Sequence, residues 1–310
     1  MNNGEANAER STNTPVVSAI VSGGRLIQGA LSDRPVPWWS FTKTVLAAVA
    51  LALVRDGALF LDRAVTNQPY TLRQLLQHTA GIPSYTDLDA YQPAVTRGET
   101  PWTVEEMLFH ARASELLFEP GKGWRYSNTG YFRVRQIIEA AAGQEIGQTL
   151  EQLVLSPLGI SGVCVAHTVD DMAATEWGNP ARYDPRWVYH GLLIGSPAVA
   201  ALLLDRLLNG DLLPEPLLAE MCTPIPLGHE LPGRPCVNFG YGLGLMIAKE
   251  GIAGISCGHT GHDPTSVAAV YHFPDCLPPC TIAAFAPTGD QAMVEWVAHN
   301  TAVAISKATL

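Results

Sequence analysis

Lysine is nearly missing from this chain: there are four in 310 residues, at positions 43, 122, 249 and 307, and charged residues of all kinds make up 15%. No basic run exists to neutralise phosphates, and the formal charge is −10 with a pI near 5.3. A nucleic-acid or anionic-membrane partner is therefore not expected, and small neutral or cationic molecules are. Long apolar runs are missing too. The longest, Val45 to Val54, is ten residues, far short of the roughly 20 that span a bilayer. Residues 1–15 are polar and lack the charged-then-apolar pattern of a secretory leader. A cytoplasmic protein is expected, unless a leader has been removed. The six cysteines (164, 222, 236, 257, 276, 280) contain no CxxC pair, which suits a reducing compartment and leaves only a Cys276–Cys280 bridge open. No repeat, linker or low-complexity segment interrupts the chain.

Apolar residues are plentiful at 47%, enough for one large domain or two intimately joined ones. Two β-prone runs flank Ser22-Gly23-Gly24 in residues 15–31 and predict a hairpin. Helices are expected after Pro37, around Leu72 to Leu76, over 101–117, 131–142, 149–155, 196–209 and 215–221. Residues 160–190 show little periodicity and read as loops that border a pocket. Beyond Pro235 come short β-type runs at 240–249, 255–260, 265–273 and 281–286, then an amphipathic helix over 290–306. Strands at both ends with helices between them imply an α+β fold, an α/β sandwich: an antiparallel sheet flanked by terminal helices, plus an all-helical part. Residues 1–60 with 236–310 would form the sheet unit and 61–235 the helical unit.

Three short elements carry chemistry. In PWWSFTKTVLAAVALALVRDG (37–57), Ser40 stands at the entry of an apolar helix with Lys43 one turn on, which brings hydroxyl and amine within hydrogen-bond reach. The apolar helix must be buried, so the amine is desolvated and its pKa falls, making it a proton acceptor. The helix entry also leaves the Ser40 N–H free to face an oxyanion. The bland alternative is a Ser40 N-cap beside a solvated lysine. Tyr126-Ser127-Asn128 lies in a glycine-rich loop before a helix. A phenol near a lysine ammonium ionises more easily, so Tyr126 is a candidate proton shuttle, and Asn128 offers an amide to the substrate or to Lys43. An ordinary polar turn is the alternative. In GISCGHTGHDPTS, alternation sets His259 and Gly261 on one face of a strand, with the His262 N–H as a second oxyanion donor. His259 and His262 near Cys257 also admit a metal reading, but without HExxH or paired CxxC no metal or other cofactor is expected. His78, at a helix end, reads as either catalytic or bonded to nearby backbone. Trp38, Trp39, Tyr85, Trp124 and Trp187 are candidates for pocket walls.

SFTK, YSN and HTG in this order, with LLQHTAGIP and FEPGKGWRYSNTGY between the first and third, resemble the penicillin-recognising serine hydrolases: class C β-lactamases, D-alanyl-D-alanine peptidases, D-aminopeptidases and β-lactamase-like esterases. The resemblance covers nearly the whole chain, from about Val16 to the final helix. It implies Ser40 as the acylated nucleophile, Lys43 as its base partner, Tyr126 as the second acid/base, Asn128 as a substrate contact, and His259, Thr260, Gly261 and His262 along the strand edge. The implied activity is hydrolysis of an ester, amide or β-lactam carbonyl through an acyl-enzyme. An acyltransferase or a penicillin-binding sensor that does not turn over would use the same parts. His259 stands where most β-lactamases of the group carry lysine, which points toward peptidases and esterases, because a neutral imidazole holds a substrate carboxylate weakly. His262 stands where small residues are usual.

Overall fold

Every side chain from Phe41 to Leu53 is buried in helix α1 (Phe41–Arg55), the apolar rod around which the other layers assemble. The computed structural model describes residues 14–29, 33–179, 181–228 and 232–308. The further helices are α2 (Leu72–Leu76), α3 (Tyr91–Thr96), α4 (Val104–His110), α5 (Asn128–Ala142), α6 (Ile146–Leu150), α7 (Val169–Ala173), α8 (Pro197–Leu208), α9 (Glu215–Met221) and α10 (Gln291–Ala308). The strands are β1 (Val17–Ser22), β2 (Arg25–Gln28), β3 (Val36–Pro37), β4 (Cys164–Ala166), β5 (Leu192–Gly195), β6 (Ile225–Pro226), β7 (Val237–Tyr241), β8 (Met246–Lys249), β9 (Ile255–Asp263), β10 (Ser266–Phe273) and β11 (Cys280–Ala286).

Eight strands form one sheet in the order β2-β1-β11-β10-β9-β8-β7-β6, and its ladders are antiparallel. Its central strands are apolar on both sides because both faces are covered. Ala19, Val21, Ala268, Val270, Ala283 and Phe285 join the core that contains α1 and α8, while Ile20, Val267, Ala269, Tyr271, Ile282 and Ala284 pack with Val294, Ala298 and Ala302 of α10. Successive residues of a strand point to opposite faces, so one sequence supplies both cores. This is an α/β sandwich, with the remaining helices stacked beyond α1. Although α8 comes from the middle of the chain, it lies against β1, β10 and β11.

Several local expectations are corrected. The run at 240–249 is two strands, folded back at Gly242-Leu243-Gly244. Gly244 has φ +76°, and a Cβ there would lie 2.4 Å from Ala47 Cβ, so only glycine lets this turn seat on α1. The helix expected over 101–117 is α4 alone, followed by Arg112 at φ 50°, a left-handed conformation that ends helical propagation. The segment read as loops holds β4 and α7, and β4 pairs with β5, which pairs with β3. A tertiary partner, not periodicity, makes strands of segments this short. The end of the predicted hairpin at residues 30–31 lies outside the described residues. All six cysteines are free, so Cys276 and Cys280 form no bridge.

Candidate active site

Ser40 occupies the N-cap position of α1, yet its side chain makes no capping hydrogen bond, which leaves Oγ free. The preceding Trp39 has φ 45°, costly for a residue with a bulky side chain and tolerated where surrounding packing enforces it. Its indole donates to Ser266 Oγ (2.9 Å) and meets Tyr183 edge-on at 5.3 Å. Strand β9 presses on this turn: a Cβ on Gly261 would lie 2.3 Å from Ser40 N and 2.6 Å from Trp39 Cβ. The absence of a side chain at Gly261 is therefore what lets β9 approach the serine turn.

Lys43 Nζ lies 3.2 Å from Ser40 Oγ, and the lysine is fully buried. Burial holds its pKa well below the ordinary 10.5, as expected for an amine stripped of water. Its second partner is His190, whose Nε2 is 3.2 Å away. A neutral amine that offers its lone pair to the Ser40 hydroxyl donates N–H to His190 Nε2, which puts the imidazole proton on Nδ1, an atom with no hydrogen-bond partner among the described residues. His190 was not foreseen. It is a single histidine in an aperiodic segment, and only the fold brings it to Lys43.

Tyr126 lines the cleft beside Ser40, and Lys43 Nζ is 5.0 Å from its ring centre. Burial raises its pKa above the ordinary 10, partly offset by the nearby Ser40. The expected easing of ionisation fails because burial disfavours the phenolate, so Tyr126 is a phenol at rest. Asn128 Nδ2 donates to Thr86 Oγ1 (2.9 Å) and its backbone N–H to Ser84 Oγ (3.1 Å). The Lys43 amine thus meets Ser40 and His190, while Asn128 is bonded to Ser84 and Thr86 and lines the cleft. His78 holds the tyrosine loop: its carbonyl accepts from Arg125 N–H (3.0 Å), its Nδ1 accepts from Ser127 N–H (3.1 Å), and its ring lies 4.3 Å from that of Tyr126. Of its two readings, the geometry supports the backbone-bonding one.

β9 lies between β8 and β10, so it is not an edge strand along its length. Its last partner on the β8 side is Met246, opposite Gly258. The Thr260 N–H points to that side, donating to Met246 Sδ at 3.5 Å. In a strand the N–H two residues on points the same way, so the His262 N–H faces the free margin past the end of β8. His259 accepts at Nε2 from Tyr241 O–H (2.9 Å) and donates from Nδ1 to the Thr260 carbonyl (2.6 Å). Burial, with a smaller effect of Lys43, brings its pKa down to about 3. Thr260 Oγ1 turns to the opposite face, bonding Tyr271 (2.8 Å) and Glu295, and Glu295 is ion-paired with Arg234. The His262 side chain is on the same face as that of Thr260 and is exposed.

These groups share one cleft of about 850 Å³, whose lining includes Ser40, Tyr126, Asn128, His190, His259 and His262. Of the suggested aromatic walls, Trp39, Tyr85 and Trp124 line it, while Trp38 and Trp187 are core. Among the described residues no helix is long and apolar enough to cross a membrane.

This architecture is the β-lactamase/transpeptidase-like fold, a class defined by such a sheet packed between helices. The chain belongs to the Beta-lactamase family, whose model matches residues 9–294. It is similar to the D-stereospecific amidohydrolase of Streptomyces sp. (TM-score 0.77, 28% identity, covering 92% of this chain and 94% of that one). The D-amino acid amidase of Ochrobactrum anthropi SV3 shares the fold, with TM-score 0.74 at 21% identity over 95% of this chain and 94% of that one. Penicillin-binding protein 4* of Bacillus subtilis is 34% identical over 134 residues, 39% of this chain and 28% of that protein. Esterase EstB of Burkholderia gladioli is 30% identical over 142 residues, 39% of this chain and 36% of that protein. The chain thus matches about a third of the length of these two relatives.

Proposed function

We propose that this protein is a serine hydrolase that opens ester or amide carbonyls through an acyl-enzyme on Ser40. The observation that carries the reading is the 3.2 Å contact between Ser40 Oγ and a fully buried amine whose pKa is lowered. Lys43 takes the hydroxyl proton as Oγ bonds to the carbonyl carbon, and the oxyanion is received by the N–H groups of Ser40 and His262. Tyr126, protonated at rest, gives its proton to the leaving oxygen or nitrogen as that bond breaks, and is reprotonated from Lys43. Water then adds to the acyl carbon, its proton passing to Lys43 or Tyr126 and from there to Ser40 Oγ as the acyl carbon–Oγ bond breaks, which releases the acid and restores the serine hydroxyl.

An ester or amide substrate is supported by the names of similar proteins, an esterase, an amidohydrolase and an amidase. A substrate that depends on a carboxylate at the third motif is disfavoured, because both nitrogens of His259 are occupied and the ring is neutral. Replacing Ser40→Ala should abolish turnover of a p-nitrophenyl acyl ester, and a fluorophosphonate should add its mass to the peptide that carries Ser40. Retained turnover in the variant would remove Ser40 from the chemistry. A stable acyl adduct without turnover would select the sensor reading, and transfer of the acyl group to an added alcohol in place of water would select an acyltransferase.

A further inference from the structure

One wall of the cleft is built unlike the rest. Asp263, the last residue of β9, is 8% exposed and lines the cleft with Trp39, Tyr91 and Tyr183. Its Oδ1 is taken by Thr265, accepting from the backbone N–H (3.0 Å) and from Oγ1 (2.8 Å). Those two bonds close the turn from β9 to β10 and account for one carboxylate oxygen only. Among the described residues no lysine or arginine forms an ion pair with Asp263; burial raises its pKa, and the Thr265 hydrogen bonds and the neighbouring His262 work against that rise. Trp39 meets Tyr183 at 5.3 Å and Tyr85 meets Tyr91 at 5.4 Å, and the Asp263 charge is felt at both Tyr91 and Tyr183.

A carboxylate set among aromatic rings is a receptor for a cation, since ring faces and a carboxylate both attract positive charge. Among the described residues of the lining, the other carboxylate, Asp87, is paired with Arg125, Arg234 is bound to Glu295, and burial lowers the pKa of His259. Asp263 lies two residues beyond Gly261, which touches the Ser40 backbone, or about 7 Å along the strand at ~3.4 Å per residue. A cation hydrogen-bonded to Asp263 therefore sits a few bonds from a carbonyl held at Ser40.

We propose that Asp263, with Trp39, Tyr91 and Tyr183, forms a cation subsite that selects esters or amides carrying a protonated amine close to the scissile carbonyl. This inference rests on the hydrolase reading given above and names its substrate class.

The test compares the methyl ester of phenylalanine, each enantiomer separately, with methyl 3-phenylpropanoate, which lacks only the amine. The wild-type protein should prefer one amino ester by at least about tenfold in kcat/KM. Asp263→Asn keeps the Oδ1 acceptor for Thr265 and removes the charge; it should reduce that preference about tenfold or more, and Asp263→Glu should restore part of it. The rate of fluorophosphonate labelling at Ser40 reports whether each variant is folded. An equal preference for the two substrates in the wild-type protein, or a preference unchanged in a labelled Asp263→Asn variant, overturns the cation subsite. Failure of the wild-type protein both to label and to hydrolyse any of the esters would instead overturn the hydrolase reading itself.

Discussion

His190 Nε2 lies 3.2 Å from Lys43 Nζ, the same distance that separates this amine from Ser40 Oγ. The amine is held from two sides, and the hydrogen bond to His190 leaves its lone pair for the serine hydroxyl. His190→Ala should lower kcat/KM for ester hydrolysis roughly tenfold to a hundredfold, the equivalent of ~1.4–2.8 kcal/mol. It should also move the acid limb of the pH–rate profile upward. Base function requires a neutral Lys43, so the rate falls as pH drops through the lysine pKa, and water entering the space left by the imidazole raises that pKa. An unshifted limb would restrict His190 to packing.

Lys43 should be a destabilising residue. Its folded-state pKa is depressed below the ordinary 10.5 by burial, so the unfolded chain binds a proton that the native state releases. Stability therefore rises with pH across the interval between the two values, and at neutral pH the native state bears the cost of deprotonation. Lys43→Met should raise the neutral-pH stability by about 1 kcal/mol, a few degrees in Tm, while removing ester turnover. The gain should shrink as pH approaches 10. Thermal melts of both proteins at pH 7 and pH 10 check this, and a Met variant less stable at pH 7 would contradict it.

Gly261→Ala should act on chemistry through geometry. The new methyl would stand 2.3 Å from Ser40 N and 2.6 Å from Trp39 Cβ, contacts that backbone can relieve only by moving β9 and the serine turn apart. A shift of this kind separates the two oxyanion donors, and about a hundredfold loss in kcat is expected for a displacement near 1 Å. Pre-steady-state acylation with a p-nitrophenyl ester would show it as a slower burst; an unchanged burst rate would mean that the turn gives way without consequence.

Much of the fold was legible because its signals are local. The apolar run after Lys43 has to be buried, and the β-type runs at both ends have to share a sheet. Legibility failed where a partner decides the conformation. The helix expected to continue past His110 ends at a left-handed Arg112, and β4 is a strand only because β5 lies beside it. At the site, the Ser40–Lys43 contact follows from one turn of helix, whereas His190 belongs to a segment without periodicity.

The chain alone determined the types of group available for chemistry and the order in which they occur, since a hydroxyl and an amine three residues apart on a buried helix meet whatever surrounds them. Only the tertiary structure decided their charge states and orientations. Burial from every side lowers the Lys43 pKa and keeps Tyr126 a phenol, and the hydrogen bonds with Tyr241 and Thr260 commit His259. Solvation and hydrogen bonding belong to the packed environment, and this is assembled from segments far apart in sequence.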